Sequence, residues 1–360
     1  MAKPEHMDAH RNDISKQVTM KWLGDLQLDS WTKFLGKEWK QTASGCEVRI
    51  PPAYVETLLR EIGLDQARSL SSPGAVTAEM REDGGEELSS ERGSQYRRIV
   101  GKLMWMLPER PDLAYCTKEL ARNLAKPRAS DWAKLKKLCR YLRGTSNAVL
   151  SLGGDNEPSN QLEVFSDSDW ATGESRRSTS GGAILSGGWL LNSWSRTQPT
   201  VALSSCEAEF MAISTSLVEA KAVQSLAREL GSELEISLNT DSSSAKALAM
   251  RRGFGRLKHM AVKQPWVQQE FREKGFKLNK VPTASNPADV LTKPVTPKVL
   301  WALAESLGLQ LHGVEMPDGG GVVAELCGLE QHKPPVSQVL ALGRARVHLL
   351  GAVVLEVPRV

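Results

Sequence analysis

The stretch QLEVFSDSDWATGESRRSTSGGAILSGGWLLNSWSRTQPTVALSSCEAEFMAIS, residues 161–214, decides the fold. Its runs 161–167, 180–186 and 189–196 are separated by glycine-rich turns, and Gly187-Gly188 is a two-residue hairpin signal. Together they predict an antiparallel meander. The period then changes. Ser204-x-x-Glu207 is a capping box, and Ala212, Leu217, Ala220, Val223 and Leu226 recur at helical spacing, which predicts a helix from Ser204 to about Leu230. Further on, Glu235-Ile236-Ser237-Leu238 reads as a strand and Ser242 to Met250 as a short helix. From 160 to 310 the order is strand, strand, strand, helix, strand, helix, helix, strand, helix. A mixed α/β class follows, one mixed sheet covered by helices on its faces.

Four acids stand at the ends of these elements: Asp167 in VFSDSDW, Glu209 in ALSSCEAEF, Asp241 in SLNTDSSSA and Asp289 in SNPADVLTKP. Asp167 and Asp241 end strands. Glu209 lies in the first turn of the long helix, and Asp289 follows the helix start Asn286-Pro287, with Pro287 at the first helical position. Two strand ends and two helix starts are places from which side chains converge, and positive helix N-termini favour an anion there. Carboxylates gathered this way repel one another unless divalent cations lie between them. Hard cations such as Mg²⁺ take carboxylate oxygens and complete their shells with water and phosphate. A pair of such ions roughly 4 Å apart can activate an attacking water and stabilise the leaving oxygen of a phosphodiester.

The segment 166–214 resembles the ribonuclease H domain of copia-type long-terminal-repeat retrotransposons, and KHM (258–260), VPT (281–283) and ADVLTKP (288–294) continue the same pattern in the same order. Upstream, YRRIVGKLMWMLPERPDLAYCTKELARNLAKPRASDWAKLKKLCRYLRGT (96–145) resembles the segment joining polymerase to ribonuclease H in those Pol polyproteins. KFLGKEWKQTASGCEVRIPPAYVETLLREIGL (33–64) resembles the end of the reverse transcriptase palm. The resemblance covers about residues 20 to 310. It implies a ribonuclease H-like five-stranded mixed sheet flanked by helices, preceded by a small helical and β remnant of reverse transcriptase. It implies that Asp167, Glu209, Asp241 and Asp289 bind two Mg²⁺ ions, or Mn²⁺ in their place, and hydrolyse the RNA strand of an RNA–DNA hybrid to leave a 5′-phosphate. The same matching selects Asp167 over Asp169 and Glu209 over Glu207. The polymerase's paired-aspartate motif is missing, so no polymerase activity is expected, and a reverse transcriptase would be supplied in trans. Three positions depart from the family pattern: Ala261 stands where an acid is usual, Ser242-Ser243-Ser244 replaces amides after Asp241, and Pro265 falls where a helix should begin.

With 360 residues and 41% hydrophobic content, two compact units and some tails are expected. The boundaries fall at 1–75, a truncated palm remnant ordered in part at best; 76–94, an acidic linker; 95–150, a basic helical thumb or connection segment; 160–310, the ribonuclease H domain; and 311–360, a tail with no assigned function. In the third segment Trp132, Leu135, Leu138 and Leu142 form a helical stripe, while Lys118, Arg122, Lys126, Arg128, Lys134, Lys136, Lys137, Arg140 and Arg143 suggest a phosphate-tracking face. Net charge is only +4, so affinity for nucleic acid has to come from such local patches. Arg176 and Arg177, before a polar turn, and Arg252, Arg256, Lys258 and His259, between two helices, are further candidates for backbone contact. Five cysteines with no C-x-x-C pair argue against a zinc site or a disulfide framework. The charged start MAKPEHMDAHRNDISK is no signal peptide, no apolar run reaches about 18 residues, and a cytoplasmic or nuclear location without membrane contact is expected. Two other readings compete. One is a catalytically inactive nucleic-acid-binding relic. The other is an aspartyl-phosphate enzyme, suggested by Asp167-x-Asp169 after a strand, which leaves Glu209 and Asp289 without a purpose.

Overall fold

The computed structural model describes residues 28–311 except residue 44 and the segments 75–84, 154–159, 173–174, 252–262 and 274, together with Lys16 and Leu26. The candidate contacts Arg252, Arg256, Lys258 and His259, and the 312–360 tail, therefore lie outside the described residues. The chain runs β1 (Thr32–Phe34), β2 (Lys37–Thr42), β3 (Gly45–Arg49), α1 (Pro52–Glu61), α2 (Ser90–Met106), α3 (Ala114–Ala121), α4 (Ala129–Gly144) and β4 (Val149–Gly153). It continues through β5 (Gln161–Asp169), β6 (Thr179–Ser186), β7 (Trp189–Thr197), α5 (Ser205–Glu229), β8 (Glu235–Thr240), α6 (Ser243–Met250), α7 (Lys263–Glu273), β9 (Lys277–Lys280), α8 (Pro297–Ser306) and β10 (Leu309–Gln310). Among the described residues no helix is long and apolar enough to cross a membrane.

The second sheet has the strand order β7-β6-β5-β8-β9. β5, β6 and β7 are antiparallel, whereas β8 and β9 add in parallel on the other side of β5. This is the ribonuclease H-like arrangement, with the first strand of the unit at its centre. The local chemistry explains each step. Leu162 and Val164 bury one face of β5, and Phe210, Ile213, Leu217 and Ala220 of α5 are fully buried. Gly187 and Gly188 both adopt positive φ, 56° and 79°, as a type I′ hairpin turn requires. Ser204 caps α5, its hydroxyl accepting from the Glu207 N–H at 3.2 Å, while Glu207 accepts from the Leu203 N–H at 2.8 Å. The buried stripe of α5 ends on Ala227, where the sequence pattern pointed to Leu226, which is half-exposed.

The first sheet, in the order β1-β2-β3-β4-β10, is antiparallel throughout. Residues 32–61, part of the expected palm remnant, supply three strands of this sheet and the helix α1. β4, from beyond the helical segment, pairs with β3, and β10, from the far end of the described chain, pairs with β4. Tyr96, Ile99 and Leu103 of α2 and Leu135, Leu138 and Leu142 of α4 join Val48, Ile50, Val55 and Leu58 in the core, and Trp132 packs half-buried at its edge. Strand pairing and apolar cover thus come from partners that no local pattern in 32–61 announces.

Candidate metal centre

The register of the second sheet sets the first two acids side by side. In the parallel pair β5–β8, Ser166 lies opposite Thr240, so the next residues, Asp167 and Asp241, leave neighbouring strands at the same end. The third acid arrives on a 3₁₀ turn, Pro287–Leu291. Asn286 fixes that turn: its Oδ1 accepts from the Ala288 N–H at 3.2 Å, and its Nδ2 donates to the Ser166 carbonyl at 3.0 Å. Gly181, opposite Asp167 on β6, lets the turn approach the sheet. A Cβ at position 181 would stand 2.6 Å from Thr292 Cγ2 and 2.8 Å from Leu291 Cβ. The Thr292 hydroxyl, held by this packing, donates to Asp167 Oδ2.

As a result, one carboxylate oxygen from each of Asp167, Asp241 and Asp289 lies within 4.8 Å of the others. Asp167 and Asp289 are buried and Asp241 is half-buried. Glu209, the fourth expected ligand, is not a member of that group but adjoins it. Burial, then the charges of Asp167 and Asp241, push its carboxyl up to about 8, against a smaller downward pull from Ser168. Burial and the Asp167 charge likewise push Asp289 up to about 7, although Lys293 draws it down. The Lys293 ammonium lies 3.0 Å from Asp289 Oδ2 and 3.7 Å from Asp167 Oδ2. Glu209 Oε2 and Asp289 Oδ1 are buried without a hydrogen-bond partner.

Buried carboxylate oxygens left unpaired are costly unless a cation satisfies them. A donor set made only of carboxylates suits a hard divalent ion such as Mg²⁺ or Mn²⁺, not a soft metal. The residues present therefore fit a divalent cation: Asp167, Asp241 and Asp289 could hold it, with Glu209 alongside.

Other predicted positions fall around this centre. Arg176 and Arg177 are exposed on the β5–β6 connection, Arg176 with a positive φ of 52°. Ser242, one of the serines replacing the family's amides, caps α6 by accepting from the Ala245 N–H at 3.2 Å. Asp169 faces Lys118 of α3, whose ammonium burial pushes down despite the nearby Glu119 and Asp169. Lys118 also donates to Thr179 Oγ1 at 2.8 Å, and Arg122 to Ser175 Oγ at 2.8 Å, so α3 is bound to the edge of the second sheet. Arg140 and Arg143, expected on a phosphate-tracking face, donate through Nε to the carbonyls of Arg68 at 2.7 Å and Asp65 at 2.8 Å. Asn286, Thr292 and Lys293 were not singled out as site residues. The one available signal was their spacing around Asp289 within the SNPADVLTKP segment.

No protein-family model matches the chain. It is 30% identical over 306 residues to the retrovirus-related Pol polyprotein from transposon TNT 1-94 of Nicotiana tabacum, covering 82% of this chain and 22% of that protein. It is 29% identical over 295 residues to the retrovirus-related Pol polyprotein from transposon RE2 of Arabidopsis thaliana, covering 81% of this chain and 20% of that protein. The chain thus spans about a fifth of the length of these relatives. A solved structure of the foamy viral protease-reverse transcriptase in complex with RNA/DNA hybrid superposes with a TM-score of 0.35 and 10% identity, over 70% of this chain and 29% of that one.

Proposed function

We propose that this chain, a homologue of part of the retrovirus-related Pol polyproteins of copia-type plant transposons, carries in residues 160–310 a metal-dependent ribonuclease H. Its substrate is an RNA–DNA hybrid, of which it cleaves the RNA strand. The observation that carries this reading is the convergence of Asp167, Asp241 and Asp289 within 4.8 Å, with Glu209 beside them, at one end of the central strands. Two Mg²⁺ ions, or Mn²⁺, when bound there, would activate the attacking water and stabilise the leaving 3′-oxygen.

The chain's own residues supply the rest. Asn286 and Gly181 hold the Asp289 turn against β5 and β6. Thr292 orients Asp167 through its hydrogen bond. Arg176 and Arg177, exposed on the β5–β6 connection near the Arg122–Ser175 bond, would contact the phosphates of a bound duplex. Recognition would then rest on phosphates and 2′-hydroxyls in a shallow minor groove, with weak sequence preference. The segment 95–150 would act as the connection to a polymerase, which would be supplied in trans.

The test is cleavage of an end-labelled RNA–DNA hybrid in Mg²⁺ by the wild type and by Asp167→Asn and Asp241→Asn, which keep shape and remove charge. Cleavage confined to the RNA strand, and reduced roughly a hundredfold or more by either change, is expected. A folded wild type that binds hybrid without cutting it would replace this reading with the non-catalytic relic.

A further inference from the structure

Lys293 enters the acidic centre four residues after Asp289. Its ammonium lies 3.0 Å from Asp289 Oδ2 and 3.7 Å from Asp167 Oδ2, on two of the carboxylates on which a divalent ion would depend. Its side chain is 34% exposed, so the flexible stem has an open route to solvent. Asp289 is only 6% exposed, and its other oxygen, Oδ1, is buried with no hydrogen-bond partner. The lysine thus satisfies one oxygen of the Asp289 carboxylate and leaves the other without a hydrogen-bond partner.

We propose that Lys293 is the resident counter-cation of this centre: it neutralises Asp167 and Asp289 while no divalent ion is bound, is displaced toward solvent when one binds, and so sets the ion concentration at which the site fills. This rests on reading the cluster as a divalent-metal centre. An ammonium and a metal ion compete for the same carboxylate charge, and each excludes the other at close range. A neutral residue at 293 removes the competitor, so the ion-free protein loses stability while the ion binds more tightly. The displaced ammonium stays tethered at the rim of the cluster, where it can meet an incoming phosphate.

The test uses the whole chain and Mn²⁺, with binding followed by the loss of the free-ion electron paramagnetic resonance signal and by calorimetry. Lys293→Gln is expected to lower the melting temperature of the ion-free protein and to tighten Mn²⁺ binding roughly tenfold. Lys293→Arg should stay near the wild type. Lys298→Gln, the same charge change at an exposed position outside the cluster, should leave both quantities unaltered. Amine labelling of Lys293 in the wild type, read by mass spectrometry, should increase when Mg²⁺ is added, and it does so whether or not a variant folds. Unchanged Mn²⁺ affinity in folded Lys293→Gln, or labelling that stays constant or falls with Mg²⁺, would overturn the inference and leave the metal centre standing. No Mn²⁺ binding by the wild type would instead remove the metal reading itself.

Discussion

Glu209 and Asp289 keep protons that ordinary carboxyls release near 4.5 and 3.8, because burial and neighbouring carboxylates raise them to about 8 and about 7. The folded protein therefore binds more protons than the unfolded chain between those limits, and linkage makes stability fall as pH rises through that window. Below about pH 4 both states are protonated and the two groups cost nothing. Above about pH 8 both must be charged in the fold, and the loss of stability is then complete. Without divalent ions, the melting temperature should decline between about pH 5 and about pH 8, and Glu209→Gln should flatten the decline. Ion binding should run the other way, since its ligands must lose their protons, so Mn²⁺ affinity rises over the same range. A melting temperature that climbs with pH in the ion-free protein would show that these acids are not buried as described. The four acids were legible in the sequence because each lies close to the start or end of a recognisable element. Asn286 and Thr292 were not, since their contacts lie 120 and 125 positions upstream and no local pattern carries such a distance.

The elements that carry the site meet through absences of side chain as much as through contacts. At Gly181 the turn bearing Asp289 comes so close that a methyl group would collide with both Thr292 and Leu291. Gly181→Ala should cost about 1–3 kcal/mol by overpacking, and it should weaken Mn²⁺ binding because the turn, and Asp289 with it, is pushed off the sheet. Gly101, within α2, is the control: nothing lies within 4 Å of a Cβ there. Gly101→Ala should stabilise the protein by about 0.5–1 kcal/mol by removing backbone freedom from the unfolded chain, with Mn²⁺ affinity unchanged. Thermal unfolding with and without Mn²⁺ separates the two effects, and equal loss of stability at both positions would contradict the packing. Asn286→Ala belongs to the same joint. It frees a buried Ser166 carbonyl and an uncapped turn, and should destabilise by about 1–3 kcal/mol in chemical denaturation. The strands of the meander and helix α5 could be read from their periods. The last turn bearing an acid could be read as a helix start, but its 3₁₀ form depends on packing against β5 and β6, which lies outside any local signal.

At the scale of the whole molecule, the described chain returns to the first sheet after completing the second. After the Asp289 turn, α8 leads into β10, which pairs with β4 of the first sheet, and Trp301 Nε1 donates to the Ser71 carbonyl at 3.4 Å. The sequence offered no warning of this closure, because β10 is two residues long and β4 lies at the edge of the basic helical segment. Its consequence is mechanical coupling between the two sheets. Leu300, Leu303, Leu307 and Leu309 are buried, and the strand that β10 pairs with lies before residue 160. Lys118 of α3 and Arg122 at its C-terminal end add polar ties to Thr179 and Ser175. A fragment beginning at residue 160 would expose several of those leucines, each contributing about 2 kcal/mol when buried. It should therefore melt at least about 10 °C below the whole chain, bind Mn²⁺ more weakly and aggregate sooner. Calorimetry of the longer chain should show one transition. Two well-separated transitions, with the upper one matching the fragment, would mean that the acidic centre is stable without the first sheet, and that the return of the chain through α8 and β10 is only a tether.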